Sequence, residues 1–115
     1  MPLLKLETTV VLNDEKRNEL LARLSGVVAE TIGKPEEYVM VTANASAILM
    51  SGKAGDAAFV DVRSIGGLSA PVTRQLSQKI CRVLNQSLSV PPNRVYLNFT
   101  EIEAGDWGWD GKTFG

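Results

Sequence analysis

The architecture is predicted first from Leu3-Leu4-Lys5-Leu6-Glu7-Thr8-Thr9-Val10 and from the segment that follows it. Its side chains alternate between two faces, which is the period of a half-buried β-strand. From Asp14 the period becomes helical, with Asn13 placed to cap the first turn and Gly33 and Pro35 placed to end the helix. The apolar stripe of this predicted helix is Leu20, Leu21, Leu24, Val27, Val28 and Ile32.

The next segments complete a β-α-β unit. Tyr38–Ala43 is predicted as a strand whose inner face carries Val39, Val41 and Ala43. Ala47–Met50 is predicted as a short continuation or an edge strand, and Ser51–Asp56 as a glycine-bearing turn.

The second half of the chain repeats this pattern. Ala58–Arg63 alternates, the turn Ile65-Gly66-Gly67 follows, and Ser69 and Pro71 open a second helix that Pro91 and Pro92 end. A last strand, Arg94–Thr100, points Tyr96, Asn98 and Thr100 outward. The order β-α-β, then β-α-β, predicts one domain over residues 1–115, with internal halves of approximately 1–55 and 56–115. The buried stripe of the second helix is Val72, Leu76, Ile80, Val83, Leu84 and Leu88.

Composition narrows the function classes. Twelve Lys+Arg against thirteen Asp+Glu give a net charge of −1, so no basic field indicates nucleic acid or a membrane surface as a partner. The chain has no histidine, and Cys81 is its only cysteine, so we expect neither a disulfide nor a transition-metal site. The N-terminus lacks the apolar run of a signal peptide, which favours a cytoplasmic protein and leaves export by a route without a cleaved signal open.

Pro2 is the first candidate for chemistry. Removal of Met1 would expose a secondary amine, and in a chain without imidazole that amine is an available general base. Proline at this position is also common without any catalytic meaning. Lys34 either sits near the free carbonyls at the helix end or binds a substrate carboxylate and lowers the pKa of a neighbouring amine.

Two further groups of residues have alternative interpretations. Tyr96 and Asn98 face the same way on one strand, either as donors to one ligand or as polar groups on a solvated face. The aromatic tail with Trp107, Trp109 and Phe114 either takes part in self-association or folds back onto its own subunit. Ser64-Ile65-Gly66-Gly67 is interpreted as a turn, because it lacks the spacing of a nucleotide-binding loop.

Taken together, the segments resemble the macrophage migration inhibitory factor family of the tautomerase superfamily. The matching pieces span nearly the whole chain in the family's order. They are Met1-Pro2-Leu3, Thr31-Ile32-Gly33-Lys34-Pro35, Ser64-Ile65-Gly66, Arg94-Val95-Tyr96-Leu97-Asn98, and Gly108-Trp109 through Thr113-Phe114.

The resemblance implies an α+β fold in which two β-α-β units related by a pseudo-twofold form a four-stranded mixed sheet covered by two antiparallel helices. It also implies that three subunits enclose a central barrel, with active sites at the subunit interfaces. In that site Pro2 is the catalytic base, Lys34 and Ile65 come from the same subunit, and Tyr96 and Asn98 come from the adjacent one. The implied pocket-lining residues are Leu3, Tyr38, Arg63, Trp107, Trp109 and Phe114.

The implied reaction is keto–enol tautomerisation of an aromatic α-keto acid such as phenylpyruvate, or of dopachrome-like compounds, without a cofactor. The alternative is a cytokine-like protein that binds a receptor while its tautomerase pocket is idle. A third alternative is a related proton-transfer or hydrolytic reaction; the retained tautomerase motifs and the lack of an arginine directly beside Pro2 disfavour it, while Arg63 leaves it open. The animal cytokines carry a Cys-Ala-Leu-Cys segment where this chain has Ala57-Ala58-Phe59-Val60, so thiol oxidoreductase activity is not expected. Arg63 and Trp107 also depart from the animal pattern, which bears on substrate preference.

Overall fold

The computed structural model describes residues 1–115 and contains one four-stranded sheet with two long helices. The sheet has the order β2-β1-β3-β4, with parallel pairs β1–β2 and β3–β4 and an antiparallel pair β1–β3 in the centre. Each β-α-β unit thus supplies one parallel pair, and the predicted α+β fold with a mixed sheet is confirmed. The elements are β1 (Pro2–Thr8), α1 (Asp14–Ile32), β2 (Met40–Ala45), β3 (Ala58–Ser64), α2 (Ala70–Leu88), β4 (Val95–Glu101), β5 (Gly108–Trp109) and β6 (Lys112–Thr113).

Local chemistry explains where the helices begin and end. The Asn13 side chain accepts a hydrogen bond from the Lys16 amide at 2.8 Å, as predicted for a helix cap. Gly33 ends α1 in the left-handed conformation, with φ of 79°, and its amide donates to the Ala29 carbonyl. Ser69 lies at the cap position of α2 but makes no side-chain capping bond. Neither helix combines the length and the apolar character that crossing a membrane would require.

The core lies between the helices and one face of the sheet. Every second residue of β1 and β3 points toward the helices and is buried, whereas the residues between them occupy a face that no helix covers. That open face carries Lys5, Asp61 and Arg63 from the central strands. The fully buried side chains of the core include Leu4, Leu6, Leu20, Leu24, Val28, Val60, Val62, Leu76, Ile80 and Leu84.

The predicted strands differ from the structure at their ends. The segment Glu36–Tyr38 forms a 3-10 turn after Pro35, because the Tyr38 amide donates to the Pro35 carbonyl at 3.1 Å, and β2 begins only at Met40. β1 ends at Thr8, whose hydroxyl bonds the Ala57 carbonyl at 3.0 Å.

Ala47–Met50 forms no strand, so that prediction was wrong. Met50 makes only an isolated bridge with Lys53, because the chain reverses through two residues with positive φ, Ser51 and Gly52. Arg94 lies in a 3-10 turn rather than in β4. Its guanidinium donates to the carbonyls of Met50, Lys53, Gly55 and Asp56 at 2.8, 3.1, 3.2 and 3.3 Å.

Candidate active site

A cavity of about 360 Å³ opens at the start of β1. The first residues of β1 form one side, the beginning of β2 forms another, and the C-terminal tail closes the third. Most of the lining is apolar, which suits an organic ligand with a ring. The lining residues are Met1, Pro2, Leu3, Glu37, Tyr38, Val39, Met40, Trp107, Gly108, Trp109 and Phe114.

Three aromatic side chains from distant parts of the chain form one wall of this cavity. Trp109 stacks on Phe114 with ring centroids 5.7 Å apart and meets the edge of Tyr38 at 6.3 Å. The hairpin of β5 and β6 holds the tail in place, since its two turn residues, Asp110 and Gly111, both have positive φ. The aromatic tail therefore folds back onto its own subunit.

Pro2 is buried and lies directly across from Ser64 of β3. The Thr9 amide donates to the carbonyl of Ala57, the residue opposite it, at 3.1 Å. In an antiparallel pair every second residue is hydrogen-bonded to its partner, so Thr9, Glu7, Lys5 and Leu3 are the residues of β1 and its extension that bond to β3. Pro2 and Ser64 therefore form a non-hydrogen-bonded pair, and the missing amide hydrogen of proline costs no bond to β3.

The amine at the chain's start is electrostatically unusual. Burial, and then the charge of Lys34, lower the pKa of the Met1 α-amine from its ordinary value of 8.0. Both effects favour the neutral amine. The effect of Lys34 is the one that the sequence suggested for a neighbouring amine, and here it acts on Met1, one residue before Pro2.

Lys34 reaches from the end of α1 to the turn between β3 and α2. Its Nζ donates to the Ile65 carbonyl at 3.2 Å. That turn is held on its other side, because the Ile102 amide donates to the Ser64 carbonyl at 2.9 Å and the Leu68 amide donates to a Glu101 carboxylate oxygen at 3.2 Å. A lysine ammonium has three N–H donors. Those not bonded to Ile65 are available for a ligand.

Arg63 lies at the rim of the cavity, on the open face of the sheet. Its Nη2 and Nε donate to the same Asp61 carboxylate oxygen at 3.2 and 3.3 Å. It lines a second depression of about 280 Å³, which shares Leu3, Trp107 and Gly108 with the main cavity. Arg63 therefore adjoins the candidate site without lining its floor.

Tyr96 and Asn98 lie away from the cavity of their own chain. Both are exposed on the open face of β4, at one edge of the sheet and separated from β1 by β3. Glu101 is the β4 residue beside Ser64, and Tyr96 lies five residues before it, roughly 16 Å along the strand. A single chain does not bring these two residues to Pro2.

Sequence reasoning missed several residues around the cavity. Val39 and Met40 line it because the parallel register places Met40 beside Leu3. An outward-facing methionine at the start of a strand was the available signal, and 62% of Met40 is exposed. Ser64 was assigned only to a turn, yet its hydroxyl is fully buried opposite Pro2 and has no hydrogen-bond partner.

Comparison with known proteins gives a consistent result. The family model described as macrophage migration inhibitory factor (MIF) matches residues 1–115. The macrophage migration inhibitory factor of Xenopus laevis is 32% identical over 115 residues, covering 99% of each chain. The homolog from Trichinella spiralis is 35% identical, covering 99% of this chain and 100% of its own.

Solved structures agree with this assignment. The macrophage migration inhibitory factor homologue from Prochlorococcus marinus superposes with a TM-score of 0.94 at 36% identity, covering 98% of this chain and 99% of its own. The macrophage migration inhibitory factor-like protein from Entamoeba histolytica gives 0.94 at 31% identity, with 98% of each chain covered. The family model, the relatives and the solved structures therefore agree, and the chain belongs to the macrophage migration inhibitory factor family.

Proposed function

We propose that this protein is a cofactor-independent keto–enol tautomerase of aromatic α-keto acids such as phenylpyruvate, with dopachrome-like compounds as further substrates. One observation carries the proposal: Pro2 lies in an aromatic-lined cavity whose neighbouring α-amine has its pKa lowered by burial and by Lys34. The cavity offers a ring site and a base, and Lys34, which does not line the cavity, supplies a cation close enough to act on the α-amine.

Pro2 acts as the base once Met1 has been removed. While Met1 is present, the Pro2 nitrogen is an amide and has no basic lone pair. Removal of Met1 converts it into a secondary amine at a position that is buried in this structure. Burial disfavours the protonated form, so the amine stays neutral at a lower pH than an exposed one would.

The reaction needs one proton to move between two atoms of the substrate. The Pro2 nitrogen takes a proton from the carbon next to the ketone, and the electrons of that C–H bond form the carbon–carbon double bond of the enol. The carbonyl oxygen gains negative charge and receives the proton back from the Pro2 ammonium. Lys34 binds the substrate carboxylate, while the ring packs against Tyr38 and Trp109.

The complete site also takes Tyr96 and Asn98 from an adjacent subunit of a homotrimer. Two features support this part of the proposal. The strands β2 and β4 are both sheet edges with unpaired backbone groups, and the open face of the sheet has no helix over it. Association through these edges would carry the exposed Tyr96 and Asn98 of one chain toward the cavity of the next.

Subunit mixing tests the shared site. Pro2→Gly and Asn98→Ala homotrimers are each expected to be weakly active. Unfolded and refolded together, they form mixed trimers in which some sites combine a normal Pro2 with a normal Asn98, and activity should recover. An unchanged rate after mixing, with trimers verified by mass, would rule out contribution of the two residues by different subunits.

The catalytic proposal is tested with untagged protein of verified mass that lacks Met1. Three forms are compared with phenylpyruvate: the mature chain, Pro2→Gly, and a chain that retains Met1. Loss of a general base typically costs about 10²- to 10⁴-fold in rate. We expect a fall of that size for Pro2→Gly and at least as large a fall with Met1 retained. Full activity with Met1 in place would contradict the assignment of Pro2.

A second candidate function is cytokine-like binding of a receptor, since the name macrophage migration inhibitory factor of the relatives describes an effect on cells. Two apolar side chains outside the cavity, Val11 and Leu49, are exposed and could contact such a receptor. If Pro2→Gly abolishes tautomerisation and leaves a cellular response intact, the response belongs to this surface rather than to the catalytic site.

A further inference from the structure

The turn between β3 and α2 contains two consecutive glycines that both have positive φ but have different neighbours. Gly66 and Gly67 have φ of 69° and 79°, a left-handed conformation that other residues adopt at a cost. A Cβ added at Gly66 would meet no atom within 4 Å. A Cβ added at Gly67 would lie 2.9 Å from Ile32 Cγ2 and 3.6 Å from Lys34 Cε.

Ile32 has little freedom to move away from such a Cβ. It is the last residue of α1, and it packs against the hydrophobic core. A β-branched side chain in a helix has one strongly preferred rotamer, so its methyl group cannot swing aside at low cost. The turn itself would have to shift away from α1 instead.

A shift of this turn reaches Lys34 through two contacts. The carbonyl of Ile65, two residues before Gly67, accepts the hydrogen bond from Lys34 Nζ at 3.2 Å. The Lys34 stem also lies against the empty space at Gly67. The position of the ammonium group therefore depends on how closely the turn approaches the end of α1.

We propose that Gly67 is a positioning residue: the absence of a side chain there seats the turn against α1 and sets the place of the Lys34 ammonium, and so the selectivity for substrates with a carboxylate. This inference rests on the proposed function. It assigns carboxylate recognition to a contact between a helix end and a turn, in addition to the lysine itself.

The matched pair Gly67→Ala and Gly66→Ala tests the proposal. Both variants place alanine in a left-handed backbone, but only Gly67→Ala pushes on Ile32 and Lys34. KM and kcat are measured in the mature chain for phenylpyruvate and for its methyl ester. We expect Gly67→Ala to raise KM for the acid about tenfold, since charge-assisted hydrogen bonds are sensitive to geometry, while KM for the ester stays within about twofold.

A rescue variant separates displacement from general damage. Ile32→Ala removes the methyl group that the new Cβ would strike, so the double variant Ile32→Ala/Gly67→Ala should recover the acid-to-ester ratio of Ile32→Ala alone. If Gly67→Ala does not fold, the double variant is compared with Ile32→Ala directly. Equal acid-to-ester ratios for Gly66→Ala and Gly67→Ala, or no recovery in the double variant, would overturn the proposal.

Binding of 3-phenylpropionate by calorimetry keeps this test independent of catalysis. It reports the carboxylate site even if the chain turns over no phenylpyruvate. Lys34→Ala is the reference in the same measurement. If Lys34→Ala weakens binding and Gly67→Ala does not, only the role of Gly67 is refuted. If Lys34→Ala has no effect, carboxylate binding by Lys34 is refuted, and the inference about Gly67 is refuted with it.

Discussion

Replacement of Trp109 by alanine should impair reaction with aromatic substrates selectively. Trp109 is the central member of the aromatic wall, stacked on Phe114 at 5.7 Å and against the edge of Tyr38 at 6.3 Å. About half of its surface, 53%, is exposed, and it lines the cavity that contains Pro2. The side chain is therefore available to a substrate ring while its own neighbours hold it in place.

The size of the effect follows from these contacts. An aromatic pair contributes about 0.5–1.5 kcal/mol beyond area burial. A substrate ring that packs on Trp109 loses one such pair and part of an apolar wall, or roughly 1–2 kcal/mol in total. This corresponds to an increase of about 5- to 30-fold in KM. An aliphatic α-keto acid has no ring to lose and should change by less than about twofold.

Steady-state kinetics with phenylpyruvate and 2-oxobutanoate test this prediction. Trp109→Phe is the control, because it keeps a ring in the wall and should retain most of the affinity. Melting curves of each variant show whether the hairpin that carries Trp109 is still folded with the rest. Equal increases in KM for both substrates in Trp109→Ala would refute the packing of the substrate ring against this wall.

Three further perturbations have defined outcomes. Lys34 lowers the pKa of the Met1 α-amine, and we expect it to act in the same way on the Pro2 amine of the mature chain. Lys34→Ala should therefore move the acidic limb of the kcat/KM profile to higher pH, because the proposed active form is the neutral amine; an unmoved limb would contradict this coupling. Arg94→Met loses four hydrogen bonds to the 50–56 loop and should lower the free energy of unfolding by about 2–4 kcal/mol in urea titrations. An unchanged midpoint would show that these bonds do not stabilise the fold. Asn13→Ala removes the cap of α1 and should cost about 1 kcal/mol, with Asn18→Ala as an exposed helical control that should cost less.

The helices were predictable because their signals are local. The bounds of α1 follow from the Asn13 cap, from Gly33 and from the apolar stripe between them, all within one segment. The strand ends were less predictable. The hydrogen bond from the Tyr38 amide to the Pro35 carbonyl holds Tyr38 in a 3-10 turn, so β2 does not include it. The hydrogen bond from the Arg94 guanidinium to the Met50 carbonyl holds Met50 in a loop. The hydrogen bond from Arg94 to Met50 joins residues 44 positions apart and leaves no periodic pattern in the sequence. The sequence pattern therefore predicted a strand at Ala47–Met50 that the structure does not contain.

The candidate site also has features that the sequence predicted and features that it did not. Sequence alone singled out Pro2 as the candidate base, since the chain has no histidine, and it showed that Lys34 follows a helix end. It also placed Tyr96 and Asn98 together on one strand face. Those are statements about residue chemistry and about spacing within a single element.

Which of these residues lie close together depends on how the elements pack. The register of β1 with β2 places Leu3 beside Met40, and the β5–β6 hairpin returns Trp109 to Tyr38, so residues from both ends of the chain enclose one cavity. The same sheet leaves Tyr96 at its far end. The physical reason is that strand order and register depend on burying the whole helix-facing surface of the sheet. Residues far apart in sequence contribute to that surface together, so no local sequence pattern specifies the order or the register.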